Sequence, residues 1–262
     1  MPLRRRNLPC SNRSVWFFQL PLALTMSFVA TAPLSIAEPP DWAAYNELLQ
    51  RHLSPAEEDG IRHARVNYSA MQNDPLYAEV LSLLEQQSLD ELATNEQRLA
   101  FYINAYNILA IKMVVDHQPL QSIRDAGSWF SPVWKKPIGT LGGEAVNLDY
   151  IEHEVLRRMD EPRIHFAIVC ASLSCPDLRG EAFTADPIDK QLDEQTREFL
   201  ANPDKGLRLE RGSVRVSRIF DWFSDDFEDS GGVGTFIRQH HQIPPDLPIR
   251  ADLPYNWKLN GE

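Results

Sequence analysis

Apolar residues in the first half of the chain recur at helical spacing. Behind Asp41, the residues Trp42, Tyr45, Leu48, Leu49 and Leu53 fall on one face of a helix that Asp41 is placed to cap. The same period returns at 76–86, after Pro75. The strongest pattern covers 95–117. There Thr94 and Gln97 stand at capping-box spacing, and Ala100, Ile103, Asn107, Ile111 and Val114 trace one face. Beyond residue 133 the signals change. Two short β-prone runs flank Gly142-Gly143, a hairpin signature. Residues 148–159 read as a helix, with acids early and Arg157-Arg158 in the last turn, the order the helix dipole favours. Residues 163–171 are apolar on both faces and read as a strand covered on both sides. Asp186-Pro187 opens a helix to about residue 201, and 207–217 reads as a hairpin turning at Arg211-Gly212. Short helices are predicted at 221–227 and 233–240, and a short strand near the end of 252–260. The pattern therefore predicts an α+β fold: a small, mostly antiparallel sheet packed against helices, with an α-rich N-terminal half and its helical part at about 41–117.

Composition sharpens this. With 43% hydrophobic and 24% charged residues the chain can bury a core and is not disordered. A net charge of −11 leaves no basic footprint, so no nucleic-acid partner is expected. The charge is uneven: residues 1–37 carry Arg4, Arg5, Arg6 and Arg13 and no acid, so every one of the 37 acids lies beyond them. Arginines, a mostly apolar run over 15–30 and Ser35-Ile36-Ala37 have the layout of a secretory signal peptide. Gln19, Pro21 and Thr25 interrupt the run, which falls short of the ~20 residues of a spanning helix. Cleavage is expected between Ala37 and Glu38. That leaves 38–262 as a single domain, periplasmic or secreted, without a stable membrane span.

Two cysteines follow the signal. Cys170 falls among the inward-reading Ile164, Phe166 and Ile168, where a thiol serves as a small buried hydrophobe. Cys175 precedes Pro176, a favoured first helical residue. A helix N-cap there would favour thiolate, which makes Cys175 the candidate nucleophile. A disulfide between the two is the structural alternative. Candidate bases are His153, flanked by Glu152 and Glu154, and His165 on the presumed strand. No metal-binding motif and no Gly-rich phosphate loop is present, so neither a metal nor a cofactor is expected.

The segments at 99–107 (LAFYINAYN), 151–157 (IEHEVLR), 162–170 with 174–176 (PRIHFAIVC, SCP) and 255–260 (YNWKLN) resemble, in order, the family called domain of unknown function 547. So do Phe183-Thr184 and 192–195 (LDEQ). The resemblance runs from about residue 95 to the C-terminus and includes Glu152-His153, His165 and Ser174-Cys175-Pro176. It implies membership and supplies no reaction. Asn104 and Asn107 share a helix face within it, either tying neighbouring loops to the helix or, one of them, orienting a histidine or donating to an oxyanion beside Cys175.

Three functions compete. The first is a thiol hydrolase or acyl transferase acting on amide or ester bonds of an envelope substrate, with Cys175 as nucleophile, His153 or His165 as base, and Asn104 or Glu152 assisting. The second is a non-catalytic envelope module that binds a protein partner. The third is a redox or disulfide role for Cys170 and Cys175, whose spacing is not that of a Cys-X-X-Cys pair.

Overall fold

The computed structural model describes residues 40–128 and 132–262. The predicted secretory segment lies outside the described residues. Helix α1 (Ala43–His52) opens with the Asp41 carboxylate accepting the Ala43 N–H at 2.9 Å. It stops one residue before Leu53, which the spacing had placed on the helix. Ser54 precedes Pro55, and a pre-proline residue is pushed out of the helical region. The chain instead enters an antiparallel hairpin, β1 (Leu53–Glu58) and β2 (Ile61–Val66), that the periodicity did not predict. Asp59 and Gly60, at φ 53° and 74°, make its two-residue turn, the Asp-Gly chemistry such turns need.

Two helices follow, α2 (Tyr68–Gln72) and α3 (Pro75–Gln86). Asp74 caps α3 through the Leu76 N–H at 3.0 Å, with Pro75 in the first turn. Helix α4 (Asn95–His117) is the predicted helix with its predicted capping box. It is buried on nearly every side, as an apolar helix through a core must be. The hairpin β3 (Gly139–Leu141) and β4 (Glu144–Val146) turns at Gly142-Gly143 as expected.

The helix expected at 148–159 is irregular. A π-helical turn, Tyr150–Val155, tightens into a 3-10 turn, Leu156–Met159, ending at the left-handed Asp160. The strand expected at 163–171 is instead a one-turn helix, α5 (Ile164–Ala167), followed by extended chain. Ile164, His165, Phe166 and Ala167 are all buried. An element covered on every side carries no polar stripe from which its period can be read. Pro162 just before it suits the entry to a helical turn.

The remaining elements are α6 (Ile188–Ala201), hairpin β5 (Leu207–Glu210) and β6 (Ser213–Val216), α7 (Ile219–Trp222), α8 (Val233–His240) and β7 (Ile249–Arg250), with a 3-10 turn at Ser224–Phe227. Strand β7 runs parallel to β6 and the other strand pairs are antiparallel. The architecture is α+β with a helix-rich first half, the strands forming three small sheets rather than one.

Two apolar clusters organise it. The larger surrounds α4 and includes Ile164, Ala167 and Ile168. The smaller gathers Phe166, Phe199, Phe220, Phe227 and Phe236 against β5 and β6. Helix α5 thus faces both, and the chain leaving it reaches Cys170 from a rigid anchor.

Candidate active site

Asn107 fixes that anchor. Its amide donates to the Ala167 carbonyl at 2.9 Å and its carbonyl accepts the Val169 N–H at 2.9 Å. Extended chain cannot satisfy these groups alone, so a buried Asn from α4 completes the end of α5. Asn104 does the same for another loop, bonding Phe183 through both its N–H and C=O. Both asparagines act as ties. The structure places Asn104 against Phe183, and it is not among the residues that line the cleft holding the thiols.

After Val169 the chain folds into a tight loop. Ala171 adopts φ 55°, a left-handed conformation costly for a residue with a Cβ, and the Cys170 N–H then donates to Cys175 Sγ at 2.7 Å. The C-terminal segment clamps this loop. The Asn260 N–H bonds the Ala171 carbonyl, the Leu173 N–H bonds the Lys258 carbonyl, Ser172 pairs with Leu259, and the Asn256 N–H reaches Ser174 Oγ at 2.8 Å. The clamp delivers Tyr255 and Trp257 to the same place. Tyr255 brings its hydroxyl within 3.2 Å of Cys170 Sγ, and Ser172 Oγ lies 3.3 Å away on another side.

Both thiols are free. Their electrostatics invert the expectation. No helix begins at Pro176, so the dipole argument for Cys175 fails. Cys175 is 3% exposed, and burial first, then the hydrogen bond it gives Cys170, pushes its pKa well up. Burial also works to raise Cys170. Hydrogen bonds from Cys175, Ser172 and Tyr255 outweigh it and bring the thiol down to about 7. Tyr255, itself raised by burial, stays protonated and so is able to donate.

The two sulfurs line a cleft of about 160 Å³ together with Glu152, His153, His165, Trp222 and Phe223, among others. The π-helical turn presents Glu152 and His153 to it, and such turns are frequent at functional sites. Burial raises the Glu152 pKa and the nearby Cys170 charge raises it further, against the lowering pull of His153 and of the Tyr106 hydroxyl, which donates to it at 3.1 Å. His165 is buried and stacked on Phe223 with ring centroids 4.1 Å apart. Its Nε2 lies 2.7 Å from the Asp226 carboxylate, which also takes two hydrogen bonds of 2.6 Å from Arg157. Burial lowers the His165 pKa, and its hydrogen bonds keep Asp226 ionised. The neutral imidazole therefore carries its proton on Nε2 and its lone pair on Nδ1. His153 Nδ1 accepts from Arg157 at 3.1 Å.

Four of the five predicted residues, Glu152, His153, His165 and Cys175, thus meet in one cleft, joined by Cys170. Among the described residues no hydrogen bond links an imidazole to either sulfur, and no group of three or more His, Cys, Asp or Glu is arranged to hold a metal ion. The sequence reading missed Tyr255, Ser172, Tyr106 and Asp226. Tyr255 stood in plain view in the closing 255–260 motif, whereas Asp226 carries no local signal beyond two adjacent acids.

The fold and cleft define an α+β protein with a paired-thiol pocket. Residues 89–200 match the family model described as protein of unknown function, DUF547, the family that the chain's motifs resemble. That span holds Asn104, Glu152, His153, His165 and both thiols, while Asp226, Tyr255 and Trp257 lie beyond it. No curated protein and no solved structure matches the chain.

Proposed function

We propose that this is a thiol enzyme, a hydrolase or acyl transferase acting on amide or ester bonds in the cell envelope, with Cys170 rather than Cys175 as nucleophile. The observation that carries it is the seat of the Cys170 sulfur: on the cleft wall, held by Tyr255 and Ser172, with a pKa brought down to about 7. The Cys170 thiolate adds to an acyl carbonyl. The C–S bond forms as the C–O or C–N bond breaks, and the leaving group takes a proton from Glu152, whose pKa burial raises. Water or a second acceptor then attacks the thioester, returns its proton to Glu152 and frees Cys170. His165, oriented by Asp226, is a further proton acceptor in the cleft.

The test is pre-steady-state acylation by 4-nitrophenyl acetate. Wild type should give a stoichiometric burst that Cys170→Ser abolishes and Cys175→Ser keeps with a pH midpoint moved upward. A burst that survives Cys170→Ser overturns the reading. The envelope location rests on the predicted signal segment, and N-terminal sequencing of the envelope fraction checks it. A cytoplasmic protein still starting at Met1 would remove the location and leave the chemistry.

The Cys170 N–H to Cys175 Sγ contact favours a second reading, a redox pair. A hydroperoxide would oxidise the Cys170 thiolate to sulfenic acid, releasing an alcohol. Cys175 would then displace water and close a disulfide. Intact mass after peroxide treatment reads it as the loss of two hydrogens, restored by dithiothreitol and absent from either Cys→Ser variant.

A further inference from the structure

The cleft does not end at its aromatic wall. Trp134 and Trp257 line it and also line a larger, more open groove with Ser122, Arg124, Asp125 and Gly127. The two depressions are therefore one surface feature divided by indole rings. The Arg124 guanidinium stands 5.1 Å above the Trp257 ring. That ring is 4.6 Å from the ring of Tyr255, whose hydroxyl touches the Cys170 sulfur. Two side chains separate an arginine from the nucleophile.

Cations without an ion pair gather around this groove. The chain carries −11 overall, and most of the arginines among the described residues meet a carboxylate. Arg124, Lys135 and Lys136 sit on or beside two facing 3-10 turns, Ile123–Ala126 and Val133–Lys135, and among the described residues none of the three has an ion pair. Lys136 instead donates to the Ala126 carbonyl, holding the turns together. The groove's one acid, Asp125, is turned to the N–H groups of Gln121 and Ser122, which hold its carboxylate on its own 3-10 turn and keep it from pairing with Arg124. The acids Asp149 and Glu152 lie on the far, thiol side of the indoles. The Leu259 N–H to Gln121 carbonyl bond, 2.7 Å, ties this turn to the segment that clamps the thiol loop, so the spacing from Arg124 to Cys170 is built in.

We infer that the groove is a substrate subsite: the enzyme takes acyl substrates bearing an anionic group, a carboxylate or phosphate, which pairs with Arg124 across Trp257 while the acyl carbon reaches Cys170. This rests on Cys170 being the nucleophile. A guanidinium backed by an indole is pre-oriented and partly dehydrated, which suits it to oxyanions.

The test uses two thiol probes of one length, 6-maleimidohexanoic acid and its methyl ester. Each protein is read as the ratio of its two alkylation rates at Cys170. Wild type should favour the acid by about two- to fivefold, the size of one exposed ion pair. The preference should fall towards one in Arg124→Gln, return in Arg124→Lys, and fade at high salt. Equal rates in wild type, or a preference that Arg124→Gln leaves intact, overturn the subsite. Neither result touches the nucleophile. That assignment fails separately, if Cys170→Ser leaves the 4-nitrophenyl acetate burst in place.

Discussion

The Tyr255 hydroxyl lies 3.2 Å from the Cys170 sulfur across 85 positions of sequence. The phenol reaches it because the last residues of the chain run along 171–174 and bond it at successive positions. A hydroxyl donating to a sulfur favours the charged form of that sulfur, so the fold's closing segment tunes the thiol. Tyr255→Phe removes one donor and keeps the ring among Trp222 and Trp257. In wild type the thiolate forms as pH rises through about 7, so alkylation should approach its plateau below pH 8. In the variant the midpoint should rise by about one unit, the value of one charge-assisted hydrogen bond, with little change in melting temperature. A pH–rate profile with iodoacetamide measures it, and an unmoved midpoint means Tyr255 does not hold the thiolate.

Asp226 joins two elements that touch the cleft. It holds Arg157 bidentately and His165 through Nε2. Asp226→Asn leaves the guanidinium without its counter-charge and allows the imidazole to change tautomer. The expected cost is about 2 kcal/mol at pH 7, less than for a fully buried pair because Arg157 keeps some access to water. The pH dependence has a definite sign. The folded pKa of Asp226 is depressed, so its contribution is complete above the unfolded value of ~3.9 and is lost as pH falls through the folded one. Urea unfolding of both proteins should show a gap that is constant from pH 7 to 5 and closes below about pH 4. A gap that does not depend on pH would show that the side chain acts through packing alone.

These partners explain where sequence reading succeeded. Helix α4 was legible to its cap because Thr94, Gln97 and the apolar period are local signals. The Gly142-Gly143 and Arg211-Gly212 hairpins were legible for the same reason. The hairpin after His52 was not, because Leu53 prolongs the helical period and only Ser54-Pro55 and Asp59-Gly60 speak against it. Helix α5 was hidden by being buried on all sides. The rank of the two thiols was hidden more deeply. Cys175 looked reactive from a helix start that does not form, while the groups that lower Cys170 include Tyr255, far along the chain. The cleft's membership was largely readable from short motifs, but the chemistry of each member depends on neighbours that only the tertiary fold supplies.

Asn107 is the next point of leverage. At 2% exposure it satisfies the Ala167 carbonyl and the Val169 N–H. Asn107→Leu keeps the branch at Cγ and strands both groups, so it should destabilise the protein by about 1–3 kcal/mol. It should also free residues 168–170, raising the Cys170 thiol towards an ordinary value as its hydrogen bonds lengthen. Chemical denaturation and the alkylation profile together test this. Lost stability with an unchanged profile would confine Asn107 to the core.

Ala171 gives the most discriminating case, because two ordinary effects oppose each other there. An Ala→Gly change normally destabilises by roughly 0.5–1 kcal/mol, since glycine loses more backbone freedom on folding. At φ 55° the alanine Cβ carries a conformational cost of about 1–2 kcal/mol that glycine does not have. Ala171 is buried, but deleting one methyl removes only a small apolar contact. Ala171→Gly should therefore be neutral or slightly stabilising by thermal unfolding, and Ala171→Val clearly destabilising, because β-branching worsens the left-handed conformation. The thiol should respond in the opposite sense. A glycine hinge loosens the loop that aims the Cys170 N–H at Cys175 Sγ, so Ala171→Gly should slow alkylation near pH 7 while the fold holds. Destabilisation of the size usual for Ala→Gly would mean that the left-handed turn is not under strain, and that hydrogen bonding to the C-terminal segment alone shapes the loop.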